Sequence, residues 1–349
     1  MGRNELTHKT LVTAVVVAPF IGFLVAIALL WQRYVFVSDL VLMGVFYTLA
    51  ALGVTIGYHR MLTHRSFQAP DWVRAIFTIL GAMSFDGRPI PWVATHIDHH
   101  AHSDKEGDPH SPLDGFWHAH MGWLFSSANF SDPKRYAPHL LKDPLIVTID
   151  RLSPFWLVLS LVLPLMLGGW TGFLWGGLVR IFLTNHVTWS VNSVCHTFGR
   201  RAFEVEDASH NHWVVGLLAF GEGWHNNHHA FPSSAFHGLR WWQFDLSALI
   251  IRGLEKMGLA WDVKRVNAEV VNRKQDEAKV MTAVQKAREE LISLRERLPN
   301  LRPLCNEAIN KISEIQTRVA EHRQIKRQKI KEYLEEVRSV ISQVRQSAI

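Results

Sequence analysis

Long runs without a charged residue constrain the fold of this chain more than any other feature. Residues 11–30 and 40–57 contain no charged side chain, and residues 152–199 contain only Arg180. A helix needs about 20 mostly apolar residues to cross the hydrocarbon core of a bilayer. Each of the first two runs is therefore long enough to cross once. The third is long enough to cross twice, with a turn at GGWTG, residues 168–172.

These runs predict an all-α integral membrane protein with four transmembrane helices in two hairpins. The predicted spans lie at about residues 11–30, 40–57, 152–168 and 172–195. Residues 75–85 form an apolar run too short to span, which predicts an interfacial or buried helix. The first run is too long for a signal peptide and has no small-residue cleavage site, so we expect no cleaved leader.

The distribution of positive charge predicts the orientation. The segment between the hairpins contains eight Lys or Arg from His59 to Lys142, with Lys142 included. The amino-terminal segment contains Arg3 and Lys9. Because cytoplasmic segments carry an excess of Lys and Arg, we expect both termini and this middle segment to be cytosolic. A bacterial inner membrane is the expected location.

Residues 266–349 are predicted to form a separate charged helical tail. Residues 264–349 contain 19 Lys or Arg and 12 Asp or Glu, interleaved at helical spacing, so we expect no binding to nucleic acid. Apolar residues repeat at spacings of four and three in two stretches, which are separated by Pro299 and Pro303. This pattern predicts a helical hairpin or a coiled coil, with self-association or docking of an electron donor as the alternatives.

Histidine is the unusual residue of this composition, with 20 copies, and many of them fall into spaced groups. The groups are His59 and His64; His96, His99 and His100; His225, His228 and His229; and Asn192 with His196. The two groups of three follow the spacing i, i+3, i+4, so each is expected on one helix face. The first pair is five apart and fits one face poorly. It converges if the span ends between the two residues or if another element occupies the gap.

The spaced histidines predict a site for two metals. Neutral imidazole is a ligand for iron, zinc, copper and nickel, and nine converging histidines exceed the needs of one ion. A structural zinc site is closed by four ligands, and the two cysteines of this chain are too few for a cysteine-based one. Imidazole-rich sites with an open position favour oxygen chemistry. The isolated residues His8, His139, His237 and His322 are interpreted as ordinary surface or core histidines.

Three segments, HRMLTHRSF, HIDHH and EGWHNNHHAF, resemble the histidine boxes of the membrane Δ9 acyl desaturases, the family of stearoyl-CoA desaturase and the bacterial acyl-lipid desaturases. WSVNSVCH is similar to that family's additional Asn and His, and GDPHSP and GFWHAHMGW resemble its bacterial branch. The resemblance covers residues 11–265. It implies two Fe²⁺ ions held by His59, His64, His96, His99, His100, His196, His225, His228 and His229, with Asn192 acting through water.

The resemblance also implies a reaction and a substrate tunnel. Dioxygen and two electrons would introduce a cis double bond, at Δ9, by removing hydrogen from C9 and then from C10. Trp92, Thr188 and Asp86 match positions that enclose the bend of the acyl chain, and animal enzymes have a neutral amide where Asp86 lies. Tyr47 would close the methyl end, and Ala51 would let the chain pass. Asp98 and Glu222 are expected to orient ligands.

The identity of the substrate carrier and the electron donor follows less directly. Ala94 replaces an Arg that contacts CoA in animal enzymes, which favours a lipid or another carrier over acyl-CoA. No flavin, nicotinamide or cytochrome b5 motif occurs, so an external ferredoxin, cytochrome b5 or flavin reductase is expected. The alternatives are a hydroxylase or ketolase of the same superfamily, a membrane metal-binding or transport protein, and an interaction scaffold built on the tail. The Asn192 and His196 pair disfavours the first, and the scarcity of polar residues in the spans disfavours the second.

Overall fold

A computed structural model describes residues 3–31, 35–321 and 327–347. The α-helices are α1 (Arg3–Trp31), α2 (Val37–Leu52), α3 (Asp71–Ala82), α4 (Pro89–His102), α5 (Phe116–His120), α6 (Pro133–Tyr136), α7 (Pro144–Arg151), α8 (Ser153–Gly172), α9 (Arg180–Ser193), α10 (Trp213–Leu218), α11 (His225–Ala230), α12 (Leu246–Lys256), α13 (Ala268–Arg297), α14 (Arg302–Glu321) and α15 (Arg327–Gln346). Two π-helices, Gly53–Thr63 and Phe173–Val179, continue α2 and α8. Short 3-10 turns occur at Pro112–Asp114, Gly122–Phe125, Ser127–Asn129, Leu140–Lys142 and Pro299–Leu301. Within these ranges the isolated β-bridges do not extend into strands.

Three helical stretches are long and apolar enough to cross a membrane: Glu5–Leu30, Val37–Thr63 and Ser153–Ser193. The third contains both of the last two spans that the sequence predicts. Gly169, with φ 59° and ψ −149°, leaves the helical conformation inside it. Arg180 Nη2 donates to the carbonyl of Ser160 at 3.2 Å, although these residues would lie about 30 Å apart in one straight helix. The stretch therefore folds back on itself at Gly169, inside the predicted GGWTG turn.

Arg180, the only charged residue of this hairpin, is fully buried and bonded to backbone carbonyls. Its guanidinium donates to Gly176 O at 3.2 Å, to Met83 O at 2.9 Å and to Ser160 Oγ at 2.5 Å. A buried charge is tolerated only when it is well hydrogen-bonded, and these acceptors meet that need. The contact with Met83 holds the chain just after α3 against the hairpin.

The first π-helix packs closely on α3. A Cβ atom added at Gly53 would lie 2.1 Å from the backbone nitrogen of Gly81, and one added at Gly57 would lie 2.6 Å from the carbonyl oxygen of Phe77. Glycine alone allows backbones to approach this closely. The apolar run at residues 75–85 thus lies largely in α3, a short helix packed against the second membrane-length stretch. A core that includes Ile56, Val93, Ile146 and Ile251 joins the π-helix to α4, α7 and α12.

The chain divides into two compact units, Met1–Arg200 with Asp207–Arg265, and Arg201–Glu206 with Val266–Ile349. In the second unit α13, α14 and α15 pack around a common core that includes Val284, Ile312 and Val337. The sequence-based prediction had two helices here and did not include α14, so it is wrong about the number of helices. Pro303 lies in the first turn of α14, where a missing N–H removes no helical hydrogen bond, so it starts a helix.

Candidate metal centre

A π-helical register brings His59 and His64 together. The N–H of His64 donates to the carbonyl of His59 at 3.1 Å, an i→i+5 bond, and the two ring centroids are 4.8 Å apart. A π-helix turns more slowly than an α-helix, so its fifth residue returns to the same face. The membrane-length stretch ends at Thr63, between the two histidines, which meets one of the conditions expected from the sequence. The π-helical form of its last turns was not expected from the sequence.

The nine spaced histidines form two clusters. In each cluster the candidate ligand atoms all lie within 4.8 Å of one another. The first cluster contains His59, His64, His96, His100 and His228, and the second contains His99, His196, His225 and His229. Each group of three therefore divides between the clusters. On α4, His96 and His100 are about 40° apart around the helix and His99 lies about 60° to the other side, so it reaches the second cluster.

The spacing of the imidazole nitrogens fits metal coordination. Pairs of Nε2 atoms lie 3.1 Å apart for His59 and His228, 3.0 Å for His228 and His100, 3.1 Å for His100 and His96, 2.9 Å for His225 and His196, and 3.1 Å for His229 and His225. Two nitrogens about 2.1 Å from one metal and at right angles would be about 3 Å apart.

Two Nε2 atoms of the clustered histidines, and the Nδ1 atoms of His225 and His228, are buried without a partner among the described residues. Nε2 of His64, in the first cluster, and Nε2 of His99, in the second, have no hydrogen-bond partner among the described residues. Buried polar atoms are normally satisfied, and a metal ion in each cluster would satisfy these two. The residues present therefore fit two metal ions.

Six of the clustered histidines are held in the neutral form that binds metal. Burial is the larger cause, because it disfavours the charged ring. Repulsion from neighbours, mostly other imidazoles, adds to it. Together they lower the pKa well below its usual value for His64, His96, His100, His225, His228 and His229. A neutral ring keeps a free lone pair on one nitrogen for a metal.

Four carboxylates orient clustered histidines through Nδ1. The distances are 3.0 Å from Asp108 to His99, 2.7 Å from Asp104 to His196, 2.8 Å from Asp207 to His229 and 2.6 Å from Glu222 to His59. Such a contact turns Nε2 toward the metal and makes the ring a stronger ligand. Glu222 makes the contact with a clustered histidine that its expected role requires. Asp98 does not, because its carboxylate bonds His102 at 2.8 Å and Ser131 at 2.6 Å, and these residues lie outside both clusters.

The other three carboxylates are missing from the sequence-based prediction. Asp104 and Asp108 follow the second histidine group within nine residues, in SDKEGDPH, and that acidic spacing was a usable signal. Asp207 lies 22 residues before its partner His229, and no local pattern marks it.

Glu222 also joins His59 to a buried ionic network. Its carboxylate lies 3.2 Å from His237 Nδ1 and 3.2 Å from Arg60, which also pairs with Asp245 at 3.0 Å. Burial opposes ionisation of Glu222, but the charges of His59, His237 and Arg60 outweigh it and hold its pKa well below the usual value. His237, interpreted from the sequence as an ordinary surface or core histidine, is a buried residue of this network. His322, another of that set, lies outside the described residues.

An apolar cavity adjoins both clusters. Its wall includes the clustered histidines His59, His96 and His225 and the expected tunnel or site residues Asp86, Trp92, Thr188 and Asn192. Trp92 stacks on His96 with a centroid distance of 5.0 Å.

Tyr47 and Ala51 lie beyond this wall. The Tyr47 hydroxyl donates to the carbonyl of Leu218 at 2.8 Å, and Ala51 is buried. Val54, which does line the cavity, comes three residues after Ala51 and seven after Tyr47. All three therefore share one face of the second membrane-length stretch.

These features define a helical protein in which two histidine clusters that could hold metal ions adjoin an apolar cavity. The family model for fatty acid desaturases matches residues 30–264. The chain belongs to the fatty acid desaturase family, which confirms the resemblance, and it is an oxygen-dependent oxidoreductase of lipid metabolism that acts on fatty-acyl chains.

Three relatives illustrate the range of the family. The hex-5-enoyl-[acyl-carrier protein] acetylenase of Moorena producens is 42% identical, over 74% of this chain and 87% of its own. The sn-1 stearoyl-lipid 9-desaturase of Anabaena variabilis is 45% identical, over 61% of this chain and 79% of its own. The acyl-CoA 5-desaturase of Anemone leveillei is 45% identical, over 64% of this chain and 70% of its own.

Proposed function

We propose that this protein introduces a cis double bond at C9 of a saturated fatty-acyl chain, using two iron ions held by the nine clustered histidines. The division of these histidines into groups of five and four beside one apolar cavity supports this most strongly. Relatives named as 9-desaturases, in Anabaena variabilis and Arabidopsis thaliana, favour the position at C9.

Iron would supply the dioxygen activation needed to remove hydrogen from an unreactive methylene pair. The chain's own residues position the parts. The four carboxylates orient the imidazoles, the cavity wall excludes water, and Trp92 and Thr188 enclose the acyl chain beside the clusters. Asn192 is proposed to reach a metal through water. Tyr47 and Ala51 are proposed to form the far end of the tunnel, on the face that Val54 extends into the cavity.

A lipid-linked acyl chain is the proposed substrate. Ala94 lies on the buried face of α4 and is inaccessible to solvent, which supports a substrate that makes no contact here through a soluble carrier such as CoA. The hairpin at Gly169 supports four spans, and an even number puts both termini on one side. The excess of Lys and Arg between the hairpins favours the cytosol for that side, and a bacterial inner membrane is the proposed location. An external ferredoxin, cytochrome b5 or flavin reductase would supply two electrons, and the tail is proposed to mediate self-association or to dock that donor.

Acetylenase activity is a second candidate. The Moorena producens relative, which matches 74% of this chain, is named for it. Converting a double bond to a triple bond also removes two hydrogens from neighbouring carbons, so one site could serve either reaction. Product analysis separates them, since only an acetylenase needs an unsaturated substrate.

Metal analysis and product analysis test the proposal together. Iron-loaded protein should contain about two iron ions per chain, as expected when each cluster holds one. His100→Ala and His228→Ala should abolish desaturation, because each removes a ligand from the first cluster. His118→Ala, on α5 and outside both clusters, is the control and should retain activity. Full activity in either cluster variant, or an active preparation with one metal ion per chain, would contradict the proposal.

A further inference from the structure

Asp86 is a carboxylate in the wall of the apolar cavity. Its Oδ2 accepts a hydrogen bond from Thr188 Oγ1 at 3.2 Å, and its own N–H donates to Ser84 Oγ at 3.0 Å. Its Oδ1 is inaccessible to solvent and has no partner among the described residues. An ionised carboxylate would therefore leave a charged oxygen unpaired, which is costly in apolar surroundings.

Among the described residues, no cation forms an ion pair with Asp86 to offset that cost. Arg180 acts on it electrostatically, but the guanidinium donates to backbone carbonyls and to Ser160. Tyr47 and Tyr58 also interact with it, and their hydroxyls donate to Leu218 O and Gly87 O. The other titratable groups of the cavity wall are His59, His96, His110, His225, Glu222 and Arg88, and Arg88 pairs with Asp150. Burial raises the pKa of Asp86 to about 7, although the neighbouring Thr188 and Ser84 hydroxyls and the charge of Arg180 act to lower it.

Polar groups lead from Asp86 to the second histidine cluster. Thr188, Asn192 and His196 recur at intervals of four along α9 and the turn after it, and therefore lie on one face. Thr188 and Asn192 line the cavity, and His196 belongs to the cluster. The edge of the cavity thus offers hydroxyl and amide groups between the carboxyl group and the site where dioxygen would be reduced.

We propose that Asp86 takes up a proton when the acyl chain enters the cavity and supplies that proton for the reduction of dioxygen. This inference depends on the proposed function. An entering chain displaces water and desolvates the carboxylate further, so the neutral form is the one that binds. In the overall reaction –CH2–CH2–, O2, two electrons from the donor and two protons give –CH=CH– and two water molecules. Asp86 supplies one of those two protons and is reprotonated from solvent, on the side of the exposed residues Gly87 and Arg88.

This coupling has a calculable pH dependence. With a pKa of about 7, roughly nine-tenths of Asp86 is protonated at pH 6 and about one-tenth at pH 8. If only the neutral form admits the chain, acyl affinity falls about tenfold from pH 6 to pH 8. Over the same range the proton uptake on binding rises from about 0.1 to about 0.9 per acyl chain.

Proton uptake can be measured without turnover. Iron-loaded enzyme in detergent, with no electron donor, would be mixed with methyl stearate, which has no titratable group, in weak buffer with a pH indicator. Wild type should take up about 0.1 proton per bound acyl chain at pH 6 and about 0.9 at pH 8. Asp86→Asn, which keeps the shape and cannot ionise, should take up none and should bind about tenfold more tightly than wild type at pH 8. Asp71→Asn, an exposed carboxylate variant on α3, should match wild type.

A second measurement tests the supply of the proton to dioxygen. Chemically reduced enzyme with bound substrate would be mixed with oxygen in a single turnover. Asp86→Asn should form the double bond more slowly although it binds the chain more tightly at pH 8, an opposite movement that simple loss of packing does not produce. If Asp86→Asn took up as much proton as wild type, or formed the double bond at the wild-type single-turnover rate, the proposal would be overturned. Failure of the proposed function would look different, because wild type itself would then form no double bond.

Discussion

At the scale of single residues, the metal centre depends on pairs of an imidazole and a carboxylate. Asp104, Asp108, Asp207 and Glu222 each contact Nδ1 of one clustered histidine. A free imidazole ring can rotate and can carry its proton on either nitrogen, so a cluster without these partners would be poorly defined. The carboxylates would thus raise the affinity of the clusters for a metal without being ligands themselves.

Asp108→Ala tests this role. Burial opposes ionisation of Asp108, but the hydrogen bond and charge of His99 outweigh it and hold the pKa of this carboxyl well below its usual range, so it is ionised at neutral pH. Removing it should lower the iron affinity of the second cluster by about 10–100-fold. The measurement is iron per chain after dialysis against a graded series of chelator concentrations.

Asp98→Asn is the matched control, because that carboxylate bonds His102 and Ser131 instead of a clustered histidine. It should retain iron like wild type. Equal retention by Asp108→Ala, or equal loss in the control, would show that the carboxylate does not orient the ligand.

At the scale of elements, the π-helix and its contact with α3 decide whether the first cluster can form. His59 and His64 share a face only in the i→i+5 register. Gly53 and Gly57 let α3 lie against that segment, which supports a helix type that is rare on its own. The close packing of α3 on the π-helix is therefore linked to the positions of His59 and His64.

Gly53→Ala should disturb this arrangement. Its Cβ would lie 2.1 Å from the backbone of Gly81, and backbone cannot move aside as a flexible side chain can. We expect a loss of about 1–3 kcal/mol of stability and reduced iron content. Thermal unfolding in detergent and metal analysis measure both.

Gly44→Ala, in the same membrane-length stretch, provides the comparison. A Cβ there meets nothing within 4 Å, and alanine is the better helix former, so stability should stay the same or rise. The same result for both variants would mean that the contact with α3 does not hold the π-helix.

At the scale of the whole molecule, each of the two compact units has its own apolar core. All nine clustered histidines and the cavity lie in the first unit. The second unit is a bundle of three helices in which Tyr333, Ile312 and Val284 are almost inaccessible to solvent. The residues of each of these core clusters all belong to its own unit.

A stop codon after Arg265 should therefore leave the iron content unchanged. If the tail mediates self-association, the mass of the detergent complex should fall by more than the mass of the missing residues. If it docks the donor, activity with the native donor should fall while chemical reduction still supports turnover. Ile312→Asp places a charge in the tail core without removing any residue. It should likewise leave the iron content unchanged while it lowers the mass of the complex or the activity with the native donor. Loss of iron on truncation would place the catalytic boundary beyond residue 265.

Local spacing was sufficient for much of this protein. Uncharged runs of about 20 residues and histidines at i, i+3 and i+4 depend only on helix geometry, so the sequence determined the helical membrane-length segments, the set of nine histidines and the family. Other features depend on contacts between segments that are distant in the sequence, and residue spacing does not predict them. The division of His96, His99 and His100 between two clusters depends on the elements that face α4. The π-helical register of His59 depends on glycine contacts with α3, and the role of Asp207 depends on a histidine 22 residues away. These features arise where segments distant in sequence meet, and only the folded chain brings them together.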